Sequence, residues 1–209
     1  LMITPIAVLE NNIRQAFREI YPQFAAELES VRTGDNMPQS ELDFDAHPIP
    51  IIDPVDRSTR AAKITGELRI VLFEPFLCYL WSACYILTSY YLEAVQEVSN
   101  RRTRDHLSNP NILRILERAG RLHEYALTLR RTITPWSPNL PNPALPSALE
   151  TPYVGRANAV FVRACNFIIC HESAHAVLGH LKEDEIGLAK EYDADRLAAE
   201  VLLRESTDD

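Results

Sequence analysis

At 209 residues the chain suits one domain, or one domain with an appended helical layer, and can bury a sizeable core without disulfides. A formal charge of −8, with no run of like charge longer than three residues, excludes the broad basic footprint of a nucleic-acid binder; Arg101-Arg102-Thr103-Arg104 reads as a solvated helix end. Cys78, Cys84, Cys165 and Cys170 form no CxxC pair and sit in apolar runs, which points to buried free thiols in a reducing compartment and not to zinc-thiolate binding.

The start of the chain lacks a basic n-region and a small-residue cleavage site, so no secretory signal is expected, and a cytoplasmic setting fits. Leu1 ahead of Met2 suggests a trimmed or tagged start, and the early end after Asp195 leaves room for a longer parent. Ile6, Leu9, Ile13, Phe17, Ile20, Phe24, Leu28 and Val31 recur at helical steps and predict an amphipathic helix over 5–31. Thr4 and Pro5 suit its N-cap and first position, and Pro22 would kink or divide it. Residues 32–60, rich in Pro, Asp and Ser, read as a long connection with an extended piece at His47–Ile52. Partial alternation and β-branched content predict a strand over 64–73, an edge that an extended substrate could pair with.

Pro75 then opens a helix to about Ser99, the most apolar part of the chain. The 23 residues from Ile70 to Leu92 would be roughly long enough to span a bilayer if all were helical. Glu74, Pro75 and several hydroxyl side chains favour a helix buried on nearly all sides over a membrane span at 70–92. Asn109-Pro110 opens a further helix to about Ile133, with Ile112, Leu116, Ala119, Leu122, Ala126 and Leu129 on one stripe. Thr134–Pro152 holds six of the fourteen prolines and can be neither a regular helix nor a central strand; a plain connector is favoured over a wall of a substrate groove.

A strong helical pattern covers 154–181, where Val154, Ala157, Phe161, Ala164, Ile168, His171, His175 and Leu178 share a stripe that turns inward and Gly179 can end the helix. A last helix over 184–204 carries Ile186, Ala189, Leu197, Val201 and Leu202. The expected organisation is one domain over 1–209, with a helical and sheet part at 1–133, the proline-rich connection at 134–152 and two site-bearing helices at 153–209.

Those two helices carry the chemistry. Residues 171–175 read His-Glu-Ser-Ala-His, and on a helix His171 and His175 lie one turn apart on the same face, so both imidazoles can reach one ion. Glu172 is rotated about 100° from His171, beside the metal, where a carboxylate can activate a bound water. This is the zinc-peptidase signature, and a catalytic zinc needs a third protein ligand. Glu191, Asp195, His180, Glu185 and Glu183 are the candidates. Glu191 and Asp195 face the same way, which suggests that Glu191 binds Zn2+ while Asp195 accepts the free ring N–H of one histidine; the reverse assignment is the alternative. His180 comes five residues after His175, near the helix end and pointing away from the His171/His175 face, and reads as a supporting hydrogen-bond partner. Asp193 and Glu200 read as solvated, and His123, Tyr125, Tyr153 and Tyr192 are unranked candidates for stabilising an oxyanion.

With these residues assembled, the chain resembles gluzincin metallopeptidases, in which a glutamate from a second helix completes a His-Glu-x-x-His site. The segment Asn158–His180 followed by Glu191–Glu200 looks most like the Lit-type phage-exclusion peptidases. It is also similar to the ImmA/IrrE group, which shares a helix ending in Leu-Gly-His and a later Glu-x-x-Ala segment. The resemblance implies an α+β, predominantly helical fold with a zincin-like core, a small sheet and zinc between two C-terminal helices. It places zinc on His171, His175 and Glu191, makes Glu172 the catalytic carboxylate, and implies a protein substrate in bacterial phage defence. The alternatives are an ImmA-like protease that removes a regulator, and a metal-stabilised binding protein without turnover; retention of Glu172 argues against the latter.

Overall fold

The computed structural model describes residues 4–29, 42–45, 62–64, 68–96, 109–129, 134–182 and 187–204. Two compact units emerge, one drawn from 1–10, 46–59 and 74–161 and the other from 11–45, 60–73 and 162–209. The described residues are predominantly helical with one small sheet, an α+β architecture.

Pro5 opens a 3-10 turn, Pro5–Leu9, that runs directly into α1, Glu10–Glu29. The stripe at 5–31 predicts one α-helix, and the first turn differs because Thr4 makes no side-chain cap. The Ala7 N–H instead closes an i→i+3 bond to the Thr4 carbonyl at 3.2 Å, as is common at helix starts. The Thr4 hydroxyl and N–H turn to the Glu74 carboxylate. Pro22 lies inside α1 without dividing it.

In the unit that carries 162–209, α1 buries Ile13, Phe17 and Ile20, and Arg14 ties it to the sheet. The Arg14 guanidinium donates to the Leu42 carbonyl at 2.6 Å and lies 4.7 Å from the Phe44 ring centre. Strand β1, Leu42–Asp45, falls within the stretch expected to be a connection. Its Leu-Asp-Phe-Asp pattern is too short and too acidic to announce a strand, yet it pairs in parallel with β3, Ile70–Phe73. Arg69 bonds Asp43 across the pair at 2.8 Å.

The single strand expected over 64–73 is two: β2, Ala62–Ile64, runs antiparallel to β3, and Leu68 takes a left-handed φ of 62° before β3 begins. Among the described residues the order is β1-β3-β2. Ile70–Phe73 is therefore the central strand and not the edge expected for substrate pairing. All four of its side chains are buried, the signature of a strand covered on both faces.

In the other unit, Glu74 and Pro75 start α2, Glu74–Tyr90, which continues as a π-helix over Tyr91–Gln96 and packs along α3, Pro110–Leu129. Trp81 and Tyr85 are completely buried, and no helix among the described residues is long and apolar enough to cross a membrane. The proline-rich stretch is irregular over 134–150 as expected, whereas Thr151 and Pro152 at its end already belong to the next helix, where a first-turn proline is tolerated; the stretch is more than a tether. Trp136 packs edge-on against Trp81 and Tyr125, with ring centres 5.7 and 5.1 Å apart, and Leu140 is buried. Buried Glu150 is compensated by the Arg118 Nε–H at 2.7 Å and the Ser147 hydroxyl at 2.7 Å, as a buried carboxylate requires. The expectations at 30–31, His47–Ile52, 97–99, Arg101–Arg104, 130–133, Glu183 and 184–186 lie outside the described residues. The four cysteines are buried and form no disulfide.

Candidate metal centre

Helix α4, Thr151–Val177, ends in the unit that also contains α5, Leu188–Arg204. Cys170, Ala174 and Val177 of α4 join Ala194, Ala198 and Val201 of α5 and Ile20 of α1 in one apolar cluster, with Leu178, Leu197 and Leu202 packed on it. Alanines at 174, 194 and 198, each 0% exposed, keep the side chains between the helices short. The stripe expected on α5 includes Ala189, which is exposed; Ala194 and Ala198 carry the contact instead.

α4 stops where Gly179 takes a φ of 74°, a left-handed conformation that costs glycine no Cβ clash. The Leu178 and Gly179 N–H groups close on the carbonyls of Ala174 and Ala176 at 2.9 and 3.2 Å. A 3-10 turn, His180–Lys182, follows. That reversal overturns one expectation: His180 does not point away from the site face. It folds back so that its ring centre lies 5.2 Å from that of His175. A straight helix through 181 would have carried it elsewhere.

Three donor atoms converge. The Nε2 atoms of His171 and His175 are 3.0 Å apart, and Glu191 Oε2 lies 3.2 Å from the first and 3.6 Å from the second. His171, His175 and Glu191 form a group that could hold a metal ion. The outward-facing ring nitrogens are also engaged: His171 Nδ1 lies 2.8 Å from Asp195 Oδ1, and His175 Nδ1 lies 3.0 Å from His180 Nδ1. An ionised carboxylate only accepts, so the His171–Asp195 bond puts the proton on Nδ1 and leaves the Nε2 lone pair of His171 aimed at the other two donors.

Burial grades across the centre. The side chain of His175 is 4% exposed, that of His171 18%, Glu191 44% and Asp195 57%. Burial is the main reason the His175 pKa drops to about 4, reinforced by the neighbouring His171 and His180 and opposed by Glu191. His175 is therefore a neutral imidazole at physiological pH, the form that can donate a lone pair to a metal. Glu172 follows His171 on α4 and is half-buried.

The remaining candidates separate. Asp193 pairs with Arg196 at 3.5 Å and Glu200 is exposed. The Tyr125 hydroxyl donates to the Thr134 carbonyl at 2.8 Å and the Tyr153 hydroxyl donates to Glu93, while His123 is exposed on α3. All three belong to the unit without the metal group. Tyr192, exposed on α5 beside Glu191, shares the unit with it.

The fold and this centre define a mainly helical protein with a metal-competent triad of two histidines and a glutamate on successive helices. Residues 70–209, about two thirds of the chain, match the family described as Peptidase U49, and the chain belongs to that family. It is a peptidase, and the matched span includes every residue of the converging group. No curated protein and no solved structure matches the chain.

Proposed function

We propose that the protein is a zinc-dependent endopeptidase cutting a specific protein substrate, with His171, His175 and Glu191 as metal ligands and the whole chain acting as one metallopeptidase domain. The observation that carries this reading is the spacing of the three donors. Tetrahedral zinc with bonds of about 2.0–2.1 Å sets its ligand atoms roughly 3.3 Å apart, and the separations of 3.0, 3.2 and 3.6 Å straddle that value. A nitrogen, nitrogen and carboxylate set with a position left open is also the donor chemistry of catalytic zinc.

A bound zinc would supply Lewis acidity, lowering the pKa of a water and polarising the scissile carbonyl. Asp195 holds His171 in the tautomer that presents Nε2, and His180 backs His175. Glu172 accepts the proton of the attacking water and returns it to the departing amine, so that the amine leaves neutral. The resemblance to Lit-type peptidases supports a cytoplasmic role in bacterial phage defence. An ImmA/IrrE-like removal of a regulator is the second reading, favoured by the Leu178-Gly179-His180 helix end.

Metal analysis and peptidase assay of the wild type beside Glu172→Gln test the mechanism. Equal zinc in both, with cleavage lost in the variant, is the expected result. Equal cleavage would refute the role of Glu172, and a metal-free, active wild type would refute zinc dependence.

A further inference from the structure

The two largest apolar exposures on α5 sit beside the converging donors. Leu188 is 90% exposed and Tyr192 69% exposed, although the helix has a well-packed inner face. Helical geometry orders its residues around the axis. Taking Glu191 as zero, Val201, Ala194 and Ala198 fall about 80°, 60° and 20° to one side, and all three are in the core. Asp195, Leu188 and Tyr192 fall about 40°, 60° and 100° to the other side. The sequence of surfaces around α5 is thus core, then the site carboxylates, then an apolar shoulder open to solvent.

The side on which a ligand would approach follows from the exposure gradient, which rises from 4% at His175 through 44% at Glu191 to 57% at Asp195. The donor group is closed on the α4 side and open on the α5 side, where Leu188 and Tyr192 stand. Leu181, on the turn after α4, is also exposed at 38% and belongs to the same unit.

We infer that Leu188 and Tyr192 are specificity-determining residues that grip an apolar side chain of the polypeptide next to the bond being cut. This rests on the proposed metallopeptidase reading. A peptide whose carbonyl reaches the donor group from the open side must lay its neighbouring side chains along α5. A leucine and a tyrosine one turn apart offer an apolar strip flanked by carboxylates, which favours an apolar side chain and disfavours an acidic one. An extended apolar pair left in water on a helix that needs neither for its core is the cost such a surface carries.

The probes are hydroxamates, which chelate a catalytic metal without being cleaved: acetohydroxamate, and amino-acyl hydroxamates bearing glycyl, leucyl, phenylalanyl or aspartyl side chains. Binding to the zinc-loaded wild type and to the Leu188→Ser, Tyr192→Ser double variant is read by calorimetry. The expected result is a leucyl or phenylalanyl preference over glycyl of about tenfold or more in the wild type. In the double variant that preference falls below about threefold, with zinc content and acetohydroxamate affinity unchanged. Acetohydroxamate binding without any apolar preference, or a preference that survives in the double variant, overturns the inference alone. Failure of the wild type to retain zinc overturns the metal reading, and the inference falls with it.

Discussion

Asp195→Ala isolates what the carboxylate behind His171 does. Asp195 Oδ1 lies 2.8 Å from His171 Nδ1, close enough to fix the ring tautomer and its orientation. Loss of such an outer partner typically lowers metal affinity 10–100-fold. Asp195 is 57% exposed against 18% for His171, so water can replace the lost acceptor and the lower end applies. A tenfold loss corresponds to about 1.4 kcal/mol. Because metal binds the folded chain, the same amount is lost from the stability of the zinc-loaded form. In a chain of this length that lowers Tm by roughly 3–5 °C. The metal-free form should move little, because a surface side chain away from the core contributes within about 0.5 kcal/mol. Zinc affinity is measured by competition with a fluorescent chelator, and Tm by scanning with and without zinc. A variant that binds zinc as tightly as the wild type refutes the role. An equal drop in Tm in both forms would make Asp195 a structural residue instead.

Two further outcomes are expected. The unfolded chain protonates His175 near pH 6.5, whereas the folded chain resists until about 4, so metal-free stability from this residue is full above 6.5 and falls as the pH drops towards 4. Denaturant midpoints from pH 7.5 to 4.5 should show this decline, less steep in His175→Gln; a midpoint independent of pH in the wild type would contradict it. Ala198→Leu inserts a larger side chain into the seam of Ala174, Ala194 and Ala198, at a cost of about 1–3 kcal/mol from overpacking. Denaturant unfolding should register that loss, and zinc affinity should fall with it because α4 and α5 carry the donors; unchanged stability would show that the seam has room.

Legibility in the sequence followed the length of the periodic segment. Helices α3 and α4 are long and strongly patterned; Asn109-Pro110 marks the start of α3, whereas α4 begins at Thr151, three residues ahead of the expected 154 and inside the stretch read as irregular. The sheet was nearly illegible: β1 is four residues with two aspartates, and the antiparallel pair of β2 and β3 fits within the twelve residues from Ala62 to Phe73, with a positive φ at Leu68. Its pairing is parallel to a segment more than twenty residues away, information that no local pattern carries. The α5 seam escaped for another reason. Alanine contributes little to a hydrophobic stripe, yet where helices pack closely the small side chain is the one that fits.

At the metal group, what depended on one helical period was readable and what depended on a chain reversal was not. His171 and His175 converge because four residues make about one turn, and Glu191 with Asp195 repeats that logic on α5. His180 required knowledge of Gly179, whose φ of 74° turns the chain back onto His175. The result is a pair of histidines with chemically different supports. His171 leans on a carboxylate, which can only accept and so fixes the ring proton by itself. His175 leans on another imidazole, where either Nδ1 can donate and the other must accept. For His175 to present its Nε2 lone pair to a metal, its own Nδ1 must carry the hydrogen, and His180 must then hold its proton on Nε2. Two tautomers are thereby tied together, and under the proposed metal reading, loading of the buried half of the centre would depend on where His180 carries its proton.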